Sequence, residues 1–245
     1  MKYKFYKRNI QILLVLMILI AIVSLICSRK TSVQSISKKE VTGATFVDSA
    51  GIANKVSKVD DSVNINKKRD SIQEKILVQQ GALKKKLALI KMKTKYDDIE
   101  NITWYSDKST PQSNNINNLN VYFGLSGKST DIGGNPWLRF VIQYAGENWL
   151  FINNYSFKID DNVYSLKPKF GEVKRDNNER VWEWYDTVVD KNIYNIIYNL
   201  IMSKNAKVRY DGKQYYNDRT ITSKEKQAIK NVLEAFEVLG GTTNF

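Results

Sequence analysis

The chain has 245 residues, a formal net charge of +13, one cysteine and no histidine. Without histidine the commonest general base, the serine and cysteine triads and most zinc sites are lost. Residues 1–95 carry 20 basic and 6 acidic side chains, whereas residues 96–245 carry 18 and 19. The second part therefore lacks the basic face that docking to nucleic acid needs, and no nucleic-acid partner is expected.

Residues 1–9 form a short basic tail, with Lys2, Lys4, Lys7 and Arg8. From Ile10 to Ser28 run 19 residues without a charge, about 28 Å as a helix and enough to cross a bilayer core. Secretory h-regions are shorter and end in small residues, but this run stays bulky through Val23, Leu25 and Ile26. A lipoprotein signal needs a small residue before its cysteine, and Ile26 precedes Cys27. Residues 10–28 are thus expected to be an uncleaved transmembrane anchor; lipidation at Cys27 and ordinary cleavage are the alternatives. A short basic tail before the first span stays in the cytoplasm. The expected location is the cell membrane, single-pass, with the C-terminal domain extracytoplasmic.

Residues 29–64 mix Ser, Thr, Lys and Val without a period and read as a flexible linker. Over residues 65–95, Ile72, Ile76, Leu83, Leu87 and Ile90 recur at helical spacing. The stretch reads as a basic amphipathic helix with a narrow stripe, weakened at Gly81. Lys84, Lys85, Lys86, Lys91, Lys93 and Lys95 crowd its second half and form the candidate surface for anionic lipid headgroups or wall polymers. Weak self-association through residues 65–95, or a stripe packed on its own domain, are the other readings.

Residues 96–245 read as an antiparallel, mainly β domain. ITWYS, NLNVYFGLS, WLRFVIQYA, NWLFINNYSFKI, NVYSL and RVWEWYD alternate like strands. Leu138, Phe140, Ile142 and Tyr144 share one face, and AGEN (residues 145–148) turns tightly into the next strand as a meander. Asp190 caps a helix whose stripe is Ile193, Ile196, Ile197, Leu200 and Ile201. Asp211-Gly212 marks a hairpin between AKVRY and KQYYN. Thr222 and Glu225 form a capping box for a last helix with Ile229, Val232, Leu233 and Phe236 inward, ended by Gly240-Gly241. The expected fold is α+β, mainly β: a β-sandwich-like domain with two helices in its C-terminal half, or alternatively one curved sheet with both helices on one face.

Chemical motifs are sparse. GLSGKSTDIGG (residues 124–134) imitates a phosphate loop, but Tyr122 stands where a glycine is required and TDIGGNPW cannot open a helix. Glu183, flanked by Trp182 and Trp184 and near Asp186, is the only candidate for carboxylate catalysis on a glycan. Alternation puts the tryptophans on one face and Glu183 with Tyr185 on the other; the simple expectation is tryptophan in the core and Glu183 in solvent. Asp160 and Asp161 read as a turn rather than a calcium site. No cofactor, metal or catalytic residue is expected.

WLRFVIQYAGENWLFINNYSFKIDD, VWEWYD and KVRYDGKQYYNDRTITSKEKQAIKNVLEAFEVLGG together resemble a group of small membrane-anchored proteins and lipoproteins of Gram-positive bacteria and their phages. The resemblance spans residues 100–240 and implies location and architecture; the group has no assigned activity, so no functional residue carries over. The expected function is a non-enzymatic, membrane-tethered extracytoplasmic binding or accessory protein. The alternatives are a carboxylate-dependent cell-wall glycan hydrolase and a cytoplasm-facing membrane protein acting on host or phage components.

Overall fold

The computed structural model describes residues 56–128 and 134–245, with side chains from residue 67 onward. The expected tail, the anchor at 10–28 and most of the linker lie outside the described residues, as does part of GLSGKSTDIGG. Among the described residues no helix is long and apolar enough to cross a membrane.

The elements are helix α1 (Val56–Leu89), strands β1 (Met92–Asp97), β2 (Ile102–Asp107), β3 (Asn118–Ser126), β4 (Trp137–Gly146), β5 (Asn154–Ile159), β6 (Asn162–Leu166), β7 (Lys174–Asn177) and β8 (Val181–Val188), helix α2 (Lys191–Met202), strands β9 (Ala206–Asp211) and β10 (Tyr216–Thr220), and helix α3 (Ser223–Val238). All strand pairings are antiparallel. They build a six-stranded sheet ordered β1-β2-β3-β4-β8-β7 and a four-stranded sheet ordered β10-β9-β5-β6. The fold is α+β and mainly β.

Period-two alternation decides which face of the large sheet turns inward. Val121, Phe123, Phe140, Ile142 and Tyr144 are buried on it. Two covers share that face. Helix α3 packs over β1–β3, with Phe236 edge-on to Phe123 at 5.8 Å. The small sheet meets β4 and β8 through the ring pairs Phe140–Phe157, Tyr144–Tyr210 and Tyr155–Tyr185. Helix α2 lies against α3 and β5, burying the five apolar residues expected of it. Lys226 of α3 donates to the Ser203 carbonyl and hydroxyl at the end of α2, setting a cation against the negative end of that helix.

Three expectations need correction. Helix α1 begins inside the expected linker and stops at Leu89, and residues 92–97 are a strand, so the six lysines do not share one helix. Lys84, Lys85 and Lys86 are on α1. Lys91 lies in the turn, where it meets Glu234 at 2.9 Å. Lys93 and Lys95 are on β1, and Lys93 donates to the Thr110 carbonyl. Strand pairing with β2, from Met92 opposite Asp107 to Asp97 opposite Ile102, draws this segment into the sheet, and Met92 is its one buried side chain. The stripe itself is not packed on the domain. Residues 67–84 are all exposed, and Ala88 is the buried anchor of the last turn.

The meander is also wrong at AGEN. Strands β4 and β5 are not partners; residues 147–153 carry the chain from the large sheet to the small one. Finally, Glu183 is not in solvent. Its face is the inner one, opposite Tyr144 and Arg175 on the neighbouring strands, and it is 0% exposed.

Candidate binding cleft

Burying an ionised carboxylate is costly unless its oxygens are filled by donors. Glu183 meets that condition with the crossover segment. Its Oε1 accepts from the backbone amides of Leu150 (2.7 Å) and Phe151 (2.8 Å), and its Oε2 accepts from Ile152 N (2.8 Å) and Arg175 Nε (2.9 Å). Arg175 reaches further, donating through Nη2 to the Ile152 carbonyl at 3.2 Å. Three consecutive amides that would serve a ladder instead converge on one side chain, and this is why WLFINN is not strand until Asn154.

Three amides can point at one carboxylate only if the backbone curls. Phe151 takes φ +56°, a left-handed conformation that a bulky side chain adopts only when its surroundings impose it. The curl sends Leu150 and Ile152 into the core and turns Phe151 outward, 51% exposed. Trp149 stacks beside it, with ring centroids 6.1 Å apart and 29° between planes. The Arg175 guanidinium also lies over the Phe151 ring, 5.6 Å from its centre, a cation–π distance.

The β9–β10 connection forms the opposite wall. The turn expected at Asp211-Gly212 is a four-residue loop, since Asp211 pairs with Tyr216. Lys213 N donates to the Leu150 carbonyl and Gly212 N to the Tyr215 carbonyl, each at 2.9 Å. Gly212 is required: a Cβ there would run into the carbonyl oxygens of Leu150 and Tyr215. Asp211 completes the join, its carboxylate accepting from Asn154 and Ser156 while its carbonyl takes Asn153 N. Between the two walls lies a cleft of about 290 Å³, lined by Trp149, Leu150, Phe151, Lys213, Gln214 and Tyr215. Tyr215 is 70% exposed.

A larger cavity of about 370 Å³ sits between the β2–β3 loop and the first turn of α3. Two of its three charged groups are already committed to one another, and Lys224 is the third. Arg219 meets Glu225 at 2.8 Å and donates to Tyr210, and Glu225 closes the capping box with Thr222. The aromatic cleft has the freer side chains.

Other residues singled out in the sequence have structural duties. Asp160 accepts from Asn205 N at 2.8 Å, tying the β5–β6 turn to the loop before β9. Asp186 is on the outer face of the large sheet, paired with Arg139 at 2.8 Å and accepting from the Tyr122 hydroxyl. Burial, with Asp186 beside it, pushes that hydroxyl well above its usual pKa. The register stacks Trp104, Gly124 and Trp137 next to this group, and Gly124 makes room for both indoles. No group of three metal-ligating side chains occurs among the described residues.

Sequence reasoning named Glu183 but missed Trp149, Phe151, Arg175 and Lys213 as its company. Phe151 alternates correctly for a strand, so nothing in its spacing gives away the curl. The available signal was a carboxylate inside an otherwise apolar alternation.

Fold and cleft together define a two-sheet α+β domain with a braced aromatic slot on its surface. The chain matches no protein-family model, no curated protein and no solved structure.

Proposed function

We propose that this chain is a non-enzymatic, membrane-tethered extracytoplasmic binding protein that takes its ligand in the Trp149–Phe151–Tyr215 cleft. One observation carries the reading: a fully buried glutamate and a left-handed phenylalanine fix the backbone that sets Trp149 and Phe151 beside the exposed Tyr215. Strain of this kind persists where surroundings over-determine it, and it clusters at ligand sites. A rigid aromatic wall binds without first losing rotamer freedom. Glu183, the candidate acid of the hydrolase reading, has its oxygens filled by four donors, which favours a brace over proton transfer.

Tethering is supported by the uncharged run at residues 10–28. The exposed segment of α1 supports a spacer between membrane and domain.

Digestion of intact cells with a protease that cannot cross the membrane tests the location. Loss of a C-terminal epitope with residues 1–9 protected is the expected result. Protection of the whole chain overturns it in favour of the cytoplasm-facing alternative. Co-sedimentation with purified envelope material tests the site: the native protein should sediment and the double variant Trp149→Ala, Tyr215→Ala should not.

A further inference from the structure

We infer that the cleft is built for an acidic glycan: a chain of sugar rings carrying carboxylate or phosphate groups. The inference rests on the binding reading above and adds the ligand's chemistry. The cleft is lined by the rings of Trp149 and Phe151, stacked on each other, and by the exposed ring of Tyr215. Flat aromatic faces on a hydrophilic surface suit the C–H faces of pyranose rings, which cover apolar area while their hydroxyls stay in water. Gln214 lines the same cleft, an amide able both to donate to and accept from such hydroxyls.

The charges settle the sign. Lys213 is the one ionised residue in the lining, and no carboxylate is among those residues. The adjacent Arg175 side chain is 34% exposed on its outer side. The neighbouring acid, Glu183, is fully buried and spends its charge on Arg175 and three amides. A negative group seated over the rings therefore meets Lys213 without an opposing carboxylate in the wall. A cationic ligand would meet it unfavourably.

Size agrees. A volume of about 290 Å³ lies at the low end for small-ligand sites, so the cleft holds about one or two rings and a polymer would run across it. Affinity per site is then modest, and repeated units strengthen it through multivalency.

The experiment uses the full chain in detergent micelles, with Lys84, Lys85 and Lys86 changed to Gln in every sample so that α1 does not hold the acidic probes, and three probes: oligogalacturonate, an uncharged malto-oligosaccharide of equal length, and inorganic polyphosphate. Binding is followed by ligand-observed NMR. Oligogalacturonate is expected to bind most tightly, the neutral oligomer about threefold more weakly and polyphosphate hardly at all. Trp149→Ala should weaken oligogalacturonate about tenfold. Lys213→Gln should reduce it to the level of the neutral oligomer, and Lys158→Gln, at the exposed residue of β5, should change nothing. Equal binding of acidic and neutral oligomers, both lost in Trp149→Ala, overturns the acidic class while leaving the cleft a binding site. Polyphosphate binding as tight as oligogalacturonate, unaffected by Trp149→Ala, overturns the glycan inference. Failure of both glycans to bind the native protein overturns it as well.

Discussion

Arg175 stands directly across the β7–β8 ladder from Glu183, and their side chains meet at 2.9 Å on the inner face of the large sheet. This pair, with three amides of the crossover, fastens the two sheets at one edge. Replacing Glu183 with Gln removes the charge and turns one oxygen into a donor facing donors. Breaking a buried pair costs about 3–5 kcal/mol, and the loss here should sit at the low end because Arg175 is one-third exposed. Denaturant unfolding of Glu183→Gln measures it. A change within about 0.5 kcal/mol, the range of surface substitutions, would mean that the crossover holds without the carboxylate.

The Gly212→Ala variant tests how closely the two walls of the cleft are joined. The added methyl meets backbone oxygens on both loops, and these cannot rotate away as a side-chain end would. Overpacking of this kind costs about 1–3 kcal/mol, and the hairpin should also swing off Leu150. Loss of the Lys213 amide's protection in hydrogen exchange is the expected sign. Unchanged protection would show that the hairpin is not held there.

Much of this fold was legible. The alternation of WLRFVIQY put Leu138, Phe140, Ile142 and Tyr144 on one face, and all four are buried; the stripes and caps of α2 and α3 were readable from spacing alone. Two strands escaped because their burial is one-sided or slight: β7 is exposed throughout, and β1 buries Met92 alone. The cleft escaped for a different reason. Period two says that Glu183 and Trp182 lie on opposite faces but not which face is covered. That depends on where the small sheet docks, a long-range fact. Polarity pointed Glu183 to solvent, and three amides more than 30 residues away together with Arg175 on the next strand hold it inside, while Trp182 is buried as expected.

Alkaline unfolding should be early and steep. Burial, with only partial relief from Arg219, pushes the Tyr210 hydroxyl up to about 12. Burial likewise raises Tyr105, Tyr122, Tyr144, Tyr155 and Tyr185. The folded state thus favours neutral phenols. This stability is fully present below about pH 10, the unfolded value, and is lost as pH climbs toward the folded values. Tyr210 alone accounts for about 2–3 kcal/mol between pH 10 and 12. Denaturant midpoints across pH 8–12 should fall mainly above 10, in step with tyrosinate absorbance. A flat profile to pH 12 would remove the buried tyrosines as the cause.

The split of the lysine run gives the last prediction. Lys84, Lys85 and Lys86 are on α1, beside the exposed stripe of Ile76, Leu83 and Leu87, whereas Lys91 and Lys93 are engaged with Glu234 and the Thr110 carbonyl. Attraction to an anionic surface, at about 1 kcal/mol per lysine near it, should therefore come from the first three. Protein beginning at residue 65 should bind anionic vesicles weakly and release them as salt shortens the Debye length. Changing Lys84, Lys85 and Lys86 to Gln should remove most of this binding, leaving the share of Lys67, Lys68, Arg69 and Lys75 on the same exposed stretch, and should leave unfolding unaltered, because that part of α1 barely packs. Changing Lys91, Lys93 and Lys95 to Gln should do the reverse, keeping most of the binding and losing about 1 kcal/mol of stability, the scale of partly exposed ion pairs. Equal loss of binding in the two triple variants would mean that the surface reads total charge, and that the boundary between α1 and β1 does not matter to it.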